Sequence, residues 1–333
     1  VRGRAVTGTG AASALPDFGD WRAARAEPLV QDASARRYRR LRRSDGRTAI
    51  LMSAPVARAA DRDSLDAFCA IAAHLRGLGL SPPEIYRSNR PAGQLLLEDL
   101  GDTSLARLLA DDRGAAQGAY AQAAEVLAHL ETAPVPAAVP RPDLPAVVDM
   151  IDLTLEQADC GDAAAEALKS ALSKALATHW ADGTALALRD YHADNLMWLP
   201  DRAGPARIGL LDFQDAMVLP RGYDLASLLD DPRRDVPRGW RRALIAAAAA
   251  RAGVRAARMT SRVNALSLLR NLRILGIFRR LSTQAARPRY ARYIPRTIAL
   301  IEAAARDASL RDVAPRLRPV LDGAAAWSVA GPS

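Results

Sequence analysis

Lysine is almost missing from this chain. Of 46 basic residues only Lys169 and Lys174 are lysines, and the rest are arginine. Arginine stays protonated in proteins, so it can bind anions but cannot act as a general base or form a Schiff base. Cysteine is nearly as scarce. Cys69 and Cys160 lie far apart and outside any C-x-x-C pair, which excludes a disulfide framework and reads as two small apolar side chains in a reducing compartment. No HExxH motif or Cys/His cluster occurs, so structural zinc is not expected. No G-x-x-x-x-G-K-[ST] string occurs either, which removes the P-loop enzymes. No apolar run reaches the roughly 18 residues that a membrane span needs. The opening "VRGRAVTGTGAAS" carries charge without an apolar core, so no secretory signal is expected and the cytoplasm is the expected location.

What is present is a chain of 333 residues, half of them apolar and a quarter charged. That is enough for a large core and two lobes. The net charge of +9 favours anionic ligands in general. Its basic runs, "RRYRRLRR", "WRRALIAAAAARAG" and "RNLRILGIFRRL", are separate and lack the aromatic-plus-glycine signature of RNA binders. A nucleotide or a sugar acid is therefore expected rather than nucleic acid.

Residues 1–20 are Gly/Ala-rich and read as a flexible start. Residues 21–100 read as strand, strand, helix, strand, strand. The first two strands flank the turn "SDG", with Tyr38 and Leu41 as candidate inward residues. The helix "DRDSLDAFCAIAAHLRGLG" is expected to be capped by Asp63 or Ser64 and ended by Gly77 and Gly79. Residues 101–330 turn mainly helical, interrupted by two strand-loop elements, "TALALRDYHADNLMWL" and "ARIGLLDFQDA".

Those two elements hold the chemistry. The string "ALRDYHADNLMWLP" (187–200) packs Asp190, His192, Asp194 and Asn195 into one short stretch between apolar flanks. Asp212 ends the next apolar run. A strand-loop-strand hairpin would bring Asp190, Asn195 and Asp212 together. Hard divalent cations take oxygen ligands of this kind, a few from protein and the rest from phosphate and water. D-x-x-x-x-N followed by an Asp at the next strand end is also the spacing of a kinase catalytic loop.

On these strings, with "GYDLASLL" after them, the chain resembles the aminoglycoside phosphotransferase family. The strings "DASARRYRRL", "LLLEDLGD", "YDLASLLDDPRRDV" and "RNLRILGIFRRL" further resemble the bacterial anomeric amino-sugar kinases. The resemblance implies an α+β, protein-kinase-like two-lobe fold. A small N-terminal antiparallel sheet plus helix would bind nucleotide, and a larger, mainly helical C-terminal lobe would carry the catalytic loop. It implies a monomeric, ATP-dependent, Mg2+-requiring enzyme that phosphorylates C1 of N-acetylmuramate or N-acetylglucosamine in peptidoglycan recycling. Asp190 would be the base, and Asn195 and Asp212 the Mg2+ ligands. ATP would meet Ser34, Arg37, Arg39, Glu98 and Leu100. The sugar would meet His192, Asp194, Gln214, Asp215, Arg233 and Arg234. Another small alcohol of aminoglycoside, choline or homoserine type, or a non-catalytic nucleotide-binding module, are the alternatives.

The chain departs from the family at two places. The usual His two residues before the base is Leu188, and no lysine precedes Lys169, so the strand lysine of this fold is missing near Met52. The helix after it has Asp61, Asp63 and Asp66 but no Glu. Arg37 and Arg39 share a strand face and are the favoured replacement, since arginine is a good bidentate phosphate ligand. The small residues of "QDASA", Ser34 among them, would let backbone amides approach phosphate. His192 reads equally as a sugar contact or a structural loop residue, and Asp194 as a turn cap. Asp224 is expected to cap its helix and brace the loop. Arg233 and Arg234 read as a solvated pair or as a clamp for a lactyl carboxylate.

Overall fold

The computed structural model describes residues 18–29, 35–283, 287–325 and 327. Ser34 lies outside them. The chain divides into two compact units, one reaching to Leu65 and including Glu84–Asp99, the other containing Asp66–Pro83 and everything from Leu100 onward.

The first unit is built on a five-stranded antiparallel sheet. Its strands are β1 (Arg25–Pro28), β2 (Arg37–Arg42), β3 (Thr48–Ser53), β4 (Ile85–Asn89) and β5 (Gln94–Glu98), in the order β1-β2-β3-β5-β4. The β2–β3 hairpin turns where "SDG" predicts, with Gly46 at φ 86, a conformation open to glycine because it has no Cβ. Arg47 N–H donates to Asp45 Oδ1 at 3.1 Å and secures that turn. β1 is an addition to the expected strand count. It is short, and its pairing with β2 is a tertiary choice that local pattern does not specify.

Strand alternation corrects one expectation. Tyr38 and Leu41 are three apart, so they face opposite sides of the sheet. Leu41 is buried with Ala49, Leu51 and Leu96 against Phe18 and Ala24, whereas Tyr38 is only half-buried. The other face carries Met52, Leu95 and Leu97, all buried. Helix α1 (Ala59–Gly77) begins ahead of the expected cap, with Asp61 rather than Asp63 or Ser64 at its start. Asp61 accepts from the Arg58 backbone N–H at 3.3 Å and from its guanidinium at 2.8 Å.

The second unit is mostly helical. It holds α2 (Leu105–Asp111), α3 (Arg113–Thr132), α4 (Leu144–Val148), α5 (Asp152–Ala158) and α6 (Asp162–Ala181). After the central strands come α7 (Tyr223–Leu229), α8 (Arg238–Arg251), α9 (Ala256–Thr283), α10 (Ile294–Ala305) and α11 (Arg318–Ala325). Side-chain caps start several of these helices: Ser104 accepts from Arg107 N–H at 3.2 Å and Asp112 from Ala115 N–H at 3.0 Å. Both lysines lie on α6, and Lys169 is ion-paired to Asp149 and Asp152. The long α9 packs against α5, α7, α8 and α10. Its Gly276 lies so close to Thr154 of α5 that a Cβ would come within 2.6 Å of the Thr154 hydroxyl. Among the described residues, no helix is long and apolar enough to cross a membrane.

Candidate active site

Two small ladders hold the site. β6 (Thr184–Ala187) pairs with β9 (Met217–Pro220), and β7 (Leu196–Trp198) pairs with β8 (Ile208–Leu210). The loops 188–195 and 211–216 each run from one ladder to the other. The register Leu196↔Leu210 places Asn195 and Leu211 at the same end of the β7–β8 ladder. Leu211 N–H donates to the Asn195 carbonyl at 2.9 Å, so Asp212 follows directly on that contact. Asn195 Nδ2 donates to the Asp190 carbonyl at 3.0 Å. The loop geometry thus brings the Asp190, Asn195 and Asp212 segments together.

The segment before Asp190 is held from below. Arg189 has φ 70, the left-handed region, which costs a non-glycine residue roughly 1–2 kcal/mol. The Asp224 carboxylate compensates by accepting from Leu188 N–H at 2.6 Å and from Arg189 N–H at 2.9 Å. The expected brace is therefore present, but Asp224 does not cap its own helix, whose N-cap is Gly222 without a side-chain bond. Ser227 Oγ donates to the Arg189 carbonyl at 3.2 Å, and buried Tyr191 donates to the Ala123 carbonyl at 2.8 Å. Asp212 also has a left-handed φ, 56. Its Oδ1 accepts from Gln214 Nε2 at 2.8 Å.

Charge around the loop is unevenly spent. Burial pushes the Asp190 carboxyl up, but Arg273, with Arg270 and Arg189, more than reverses this and holds it below the ordinary range. Burial drives His192 down to about 3, so it is neutral at physiological pH. Its Nε2 lies 3.4 Å from Asn195 Nδ2. Burial pushes Asp224 up to about 7 despite its two backbone donors. Asp231 is opposed by burial yet held well below the carboxylate range, chiefly by Arg233.

The other expected residues separate by partner. Arg234 Nη2 bonds exposed Asp194 at 2.5 Å, which gives Asp194 a role in an ion pair. Arg233 is committed: Nη1 lies 2.7 Å from Asp231 Oδ2, and the guanidinium stacks over Phe278 at 5.3 Å. The Asp215 carbonyl accepts from Arg189 Nη1 at 3.2 Å. Within the first unit, Arg37 is exposed, Arg39 half-buried and Glu98 half-buried. Alternation puts Arg37 and Arg39 on the face of Leu41. Leu100, buried, belongs to the second unit.

Sequence reasoning missed Arg36, Arg270 and Arg273. Arg36 is buried and bonded to Ser64. Arg270, fully buried on α9, bonds Asp231 at 3.2 Å. The available signal was an arginine pair spaced three apart, Arg270 and Arg273, set among the leucines and isoleucine of residues 268–275, which places both on one face.

The donor set suits Mg2+. Asn195, whose Nδ2 donates to the Asp190 carbonyl, could offer its amide oxygen to an ion, and Asp212 could add a carboxylate. Among the described residues no group of three or more His, Cys, Asp or Glu could hold an ion. An ion bound here would take most of its ligands from phosphate and water, as Mg2+ does.

A five-stranded sheet unit, a mainly helical unit and a D-x-x-x-x-N loop followed by a strand-end Asp define a protein-kinase-like phosphotransferase. The chain belongs to the phosphotransferase enzyme family, whose pattern matches residues 25–259. It is an enzyme, a kinase with an alcohol group as acceptor. It is 36% identical to the N-acetylmuramate/N-acetylglucosamine kinase of Caulobacter vibrioides, over 89% of this chain and 91% of that protein. The kinase of the same name from Pseudomonas putida is 28% identical, over 81% and 80%. Among solved structures, a choline/ethanolamine kinase family protein from Mesorhizobium loti superposes with TM-score 0.61 at 15% identity, covering 92% of this chain and 96% of that one. Aminoglycoside 2'-phosphotransferase-IIIa gives TM-score 0.57 at 16% identity, covering 87% and 94%. These two likenesses establish the protein-kinase-like fold.

Proposed function

We propose that this chain is an ATP-dependent kinase that phosphorylates the anomeric C1 hydroxyl of N-acetylmuramate and N-acetylglucosamine, in the recycling of peptidoglycan sugars. The reaction rests on one observation above all: Asn195 is fastened to the Asp190 carbonyl at 3.0 Å, in a loop that Asp224 clamps directly before Asp190. The choice of sugar is supported by the names of the relatives from C. vibrioides and P. putida.

In this reading Asp190 accepts the hydroxyl proton while the C1 oxygen attacks the γ-phosphorus and ADP leaves. Asn195 and Asp212 would hold Mg2+, which neutralises phosphate charge when bound. The demand on the base is light, because an anomeric hydroxyl is more acidic than an ordinary sugar alcohol. Phosphoryl transfer depends mostly on positioning and charge neutralisation, so so small a set suffices. His192, neutral and buried, packs beside Asn195 and orients the loop. Of the two clamp arginines, Arg234 is assigned to the lactyl carboxylate, because its partner Asp194 is exposed and can give way to a ligand, whereas Arg233 is held by the buried Asp231.

Phosphorus NMR of the protein with Mg-ATP and each sugar tests this. The expected product is a sugar phosphate coupled to the anomeric proton. A phosphate at another position, or no product from either sugar, would refute the assignment and leave another alcohol acceptor or a non-catalytic nucleotide-binding module.

A further inference from the structure

We propose that Tyr120 of α3 sets the choice of acceptor: its hydroxyl donates, alongside Arg234, to the lactyl carboxylate that N-acetylmuramate carries and N-acetylglucosamine does not. The inference rests on the amino-sugar reading above and adds to it a residue outside the strings that pointed there.

Tyr120 is the one Phe, Tyr or Trp on α3, set among the buried Ala116, Ala119, Ala123 and Ala124. It is fully buried, and its ring lies 5.7 Å from that of half-buried Trp240 on α8. A phenylalanine would fill that space as well. A tyrosine hydroxyl is costly to bury unless it finds a partner, and among the described residues this one has none. The catalytic loop docks on the same face of the helix. Tyr191 donates to the carbonyl of Ala123 at 2.8 Å, three residues after Tyr120 and on its side of α3. Farther along the loop, the Ala193 carbonyl accepts from Ala106 N–H of α2 at 3.0 Å.

Two more buried polar atoms without a hydrogen-bond partner belong to this neighbourhood, Arg234 Nη1 and His192 Nδ1. Arg234 reaches Asp194 Oδ2 at 2.5 Å through its other terminal nitrogen, Nη2. His192 Nδ1 lies 3.7 Å from the same oxygen, beyond hydrogen-bond length. The phenol of Tyr120 feels the charges of Arg234, Asp231 and Asp194, so Asp194 is the common neighbour of all three. Its carboxylate shows which chemistry the place suits. Burial pushes the Tyr120 phenol up to about 12, so it keeps its proton, and with it the ability to donate, wherever a carboxylate is ionised. A carboxylate brought by the acceptor has two oxygens, one for the arginine fork and one for the phenol. An acceptor without that group forgoes both bonds.

The test is calorimetric binding of N-acetylmuramate and N-acetylglucosamine to the full chain, wild type against Tyr120→Phe, Arg234→Met and the double variant, with urea unfolding of each. Tyr120→Phe is expected to weaken N-acetylmuramate about tenfold or more, the loss of a hydrogen bond to a charged group, while N-acetylglucosamine stays within about twofold. Arg234→Met should show the same pattern. The double variant should lose less than the sum of the two, because both bonds end on one carboxylate. Without sugar, the urea midpoint of Tyr120→Phe should equal or exceed that of wild type, since the change removes an unpartnered hydroxyl and keeps the ring. A hydroxyl with a purely structural task would lower it. Equal weakening of both sugars, weakening of neither, or a lowered midpoint would overturn the proposal. Wild type that phosphorylates both sugars beside a Tyr120→Phe variant that does not discriminate between them defeats the proposal alone. Wild type that binds neither sugar defeats the functional reading, and the proposal with it.

Discussion

Replacing Asp224 by Asn isolates the clamp beneath the catalytic loop. The carboxylate serves two backbone donors at once, Leu188 N–H at 2.6 Å and Arg189 N–H at 2.9 Å. An asparagine has one acceptor oxygen, so its amide NH2 meets the second N–H and orphans it, at about 1–3 kcal/mol. The clamp also holds Arg189 at φ 70, strain of about 1–3 kcal/mol that persists only while the surroundings enforce it. A neutral amide is cheaper to bury than a carboxylate, which offsets part of this, and a net loss of about 2–3 kcal/mol is expected. Urea unfolding of wild type, Asp224→Asn, Arg189→Gly and the double variant measures it. The midpoint should fall at unchanged slope. The cost should shrink in the Arg189→Gly background, because glycine adopts this φ without strain. Turnover should fall about a hundredfold, the effect of misplacing a reacting group by about 1 Å, while nucleotide affinity holds. An Asp224→Asn variant within about 0.5 kcal/mol of wild type, the size of an ordinary surface substitution, would refute the reasoning. An equal cost in both backgrounds would refute it too.

Asp190→Asn should lower turnover by about 10²–10⁴-fold and leave nucleotide affinity, measured by calorimetry, close to wild type; unchanged turnover would move the base elsewhere. Asp231 sits below its unfolded pKa of about 3.9, so its ionisation stabilises the fold fully above that value, and the gain is lost as pH falls through the folded pKa. Asp231→Asn leaves Arg233 and buried Arg270 without their carboxylate and should cost about 3–5 kcal/mol at pH 7. Its stability gap from wild type should narrow below about pH 4 in acid titrations followed by circular dichroism. Gly276→Ala puts a Cβ 2.6 Å from Thr154 Oγ1 and 2.8 Å from its backbone nitrogen, and should destabilise by about 1–3 kcal/mol in urea; a neutral result would show that α5 yields.

What could be read in advance was local. The segments of Asp190, Asn195 and Asp212 come together as expected because their spacing is set within one strand-loop-strand passage. The helices of the second unit announce themselves by periodicity and by caps such as Ser104 and Asp112. What escaped was decided across the chain. Arg36 finds Ser64 at a separation of 28 residues, and Arg270 finds Asp231 at 39; no window around either arginine reveals its partner. Asp224 was legible as a brace from its place in "GYDLASLL", but its two-pronged grip depends on the positive φ of Arg189, which an arginine codon does not advertise. Helix α1 starts at Ala59, with Asp61 paired to Arg58, whereas residue type alone points to Asp63 or Ser64 as the cap.

The two lysines on α6 have a practical consequence. Amine-directed chemistry on the side chains of this protein has only Lys169 and Lys174 to find, both on one helix. Nucleotide probes that tag kinases through a strand lysine would pass over this enzyme in a proteome, however well it bound them. The same helix offers a handle: coupling the protein to a sensor surface through its lysines would attach it by α6 and leave every residue of the catalytic loop unmodified.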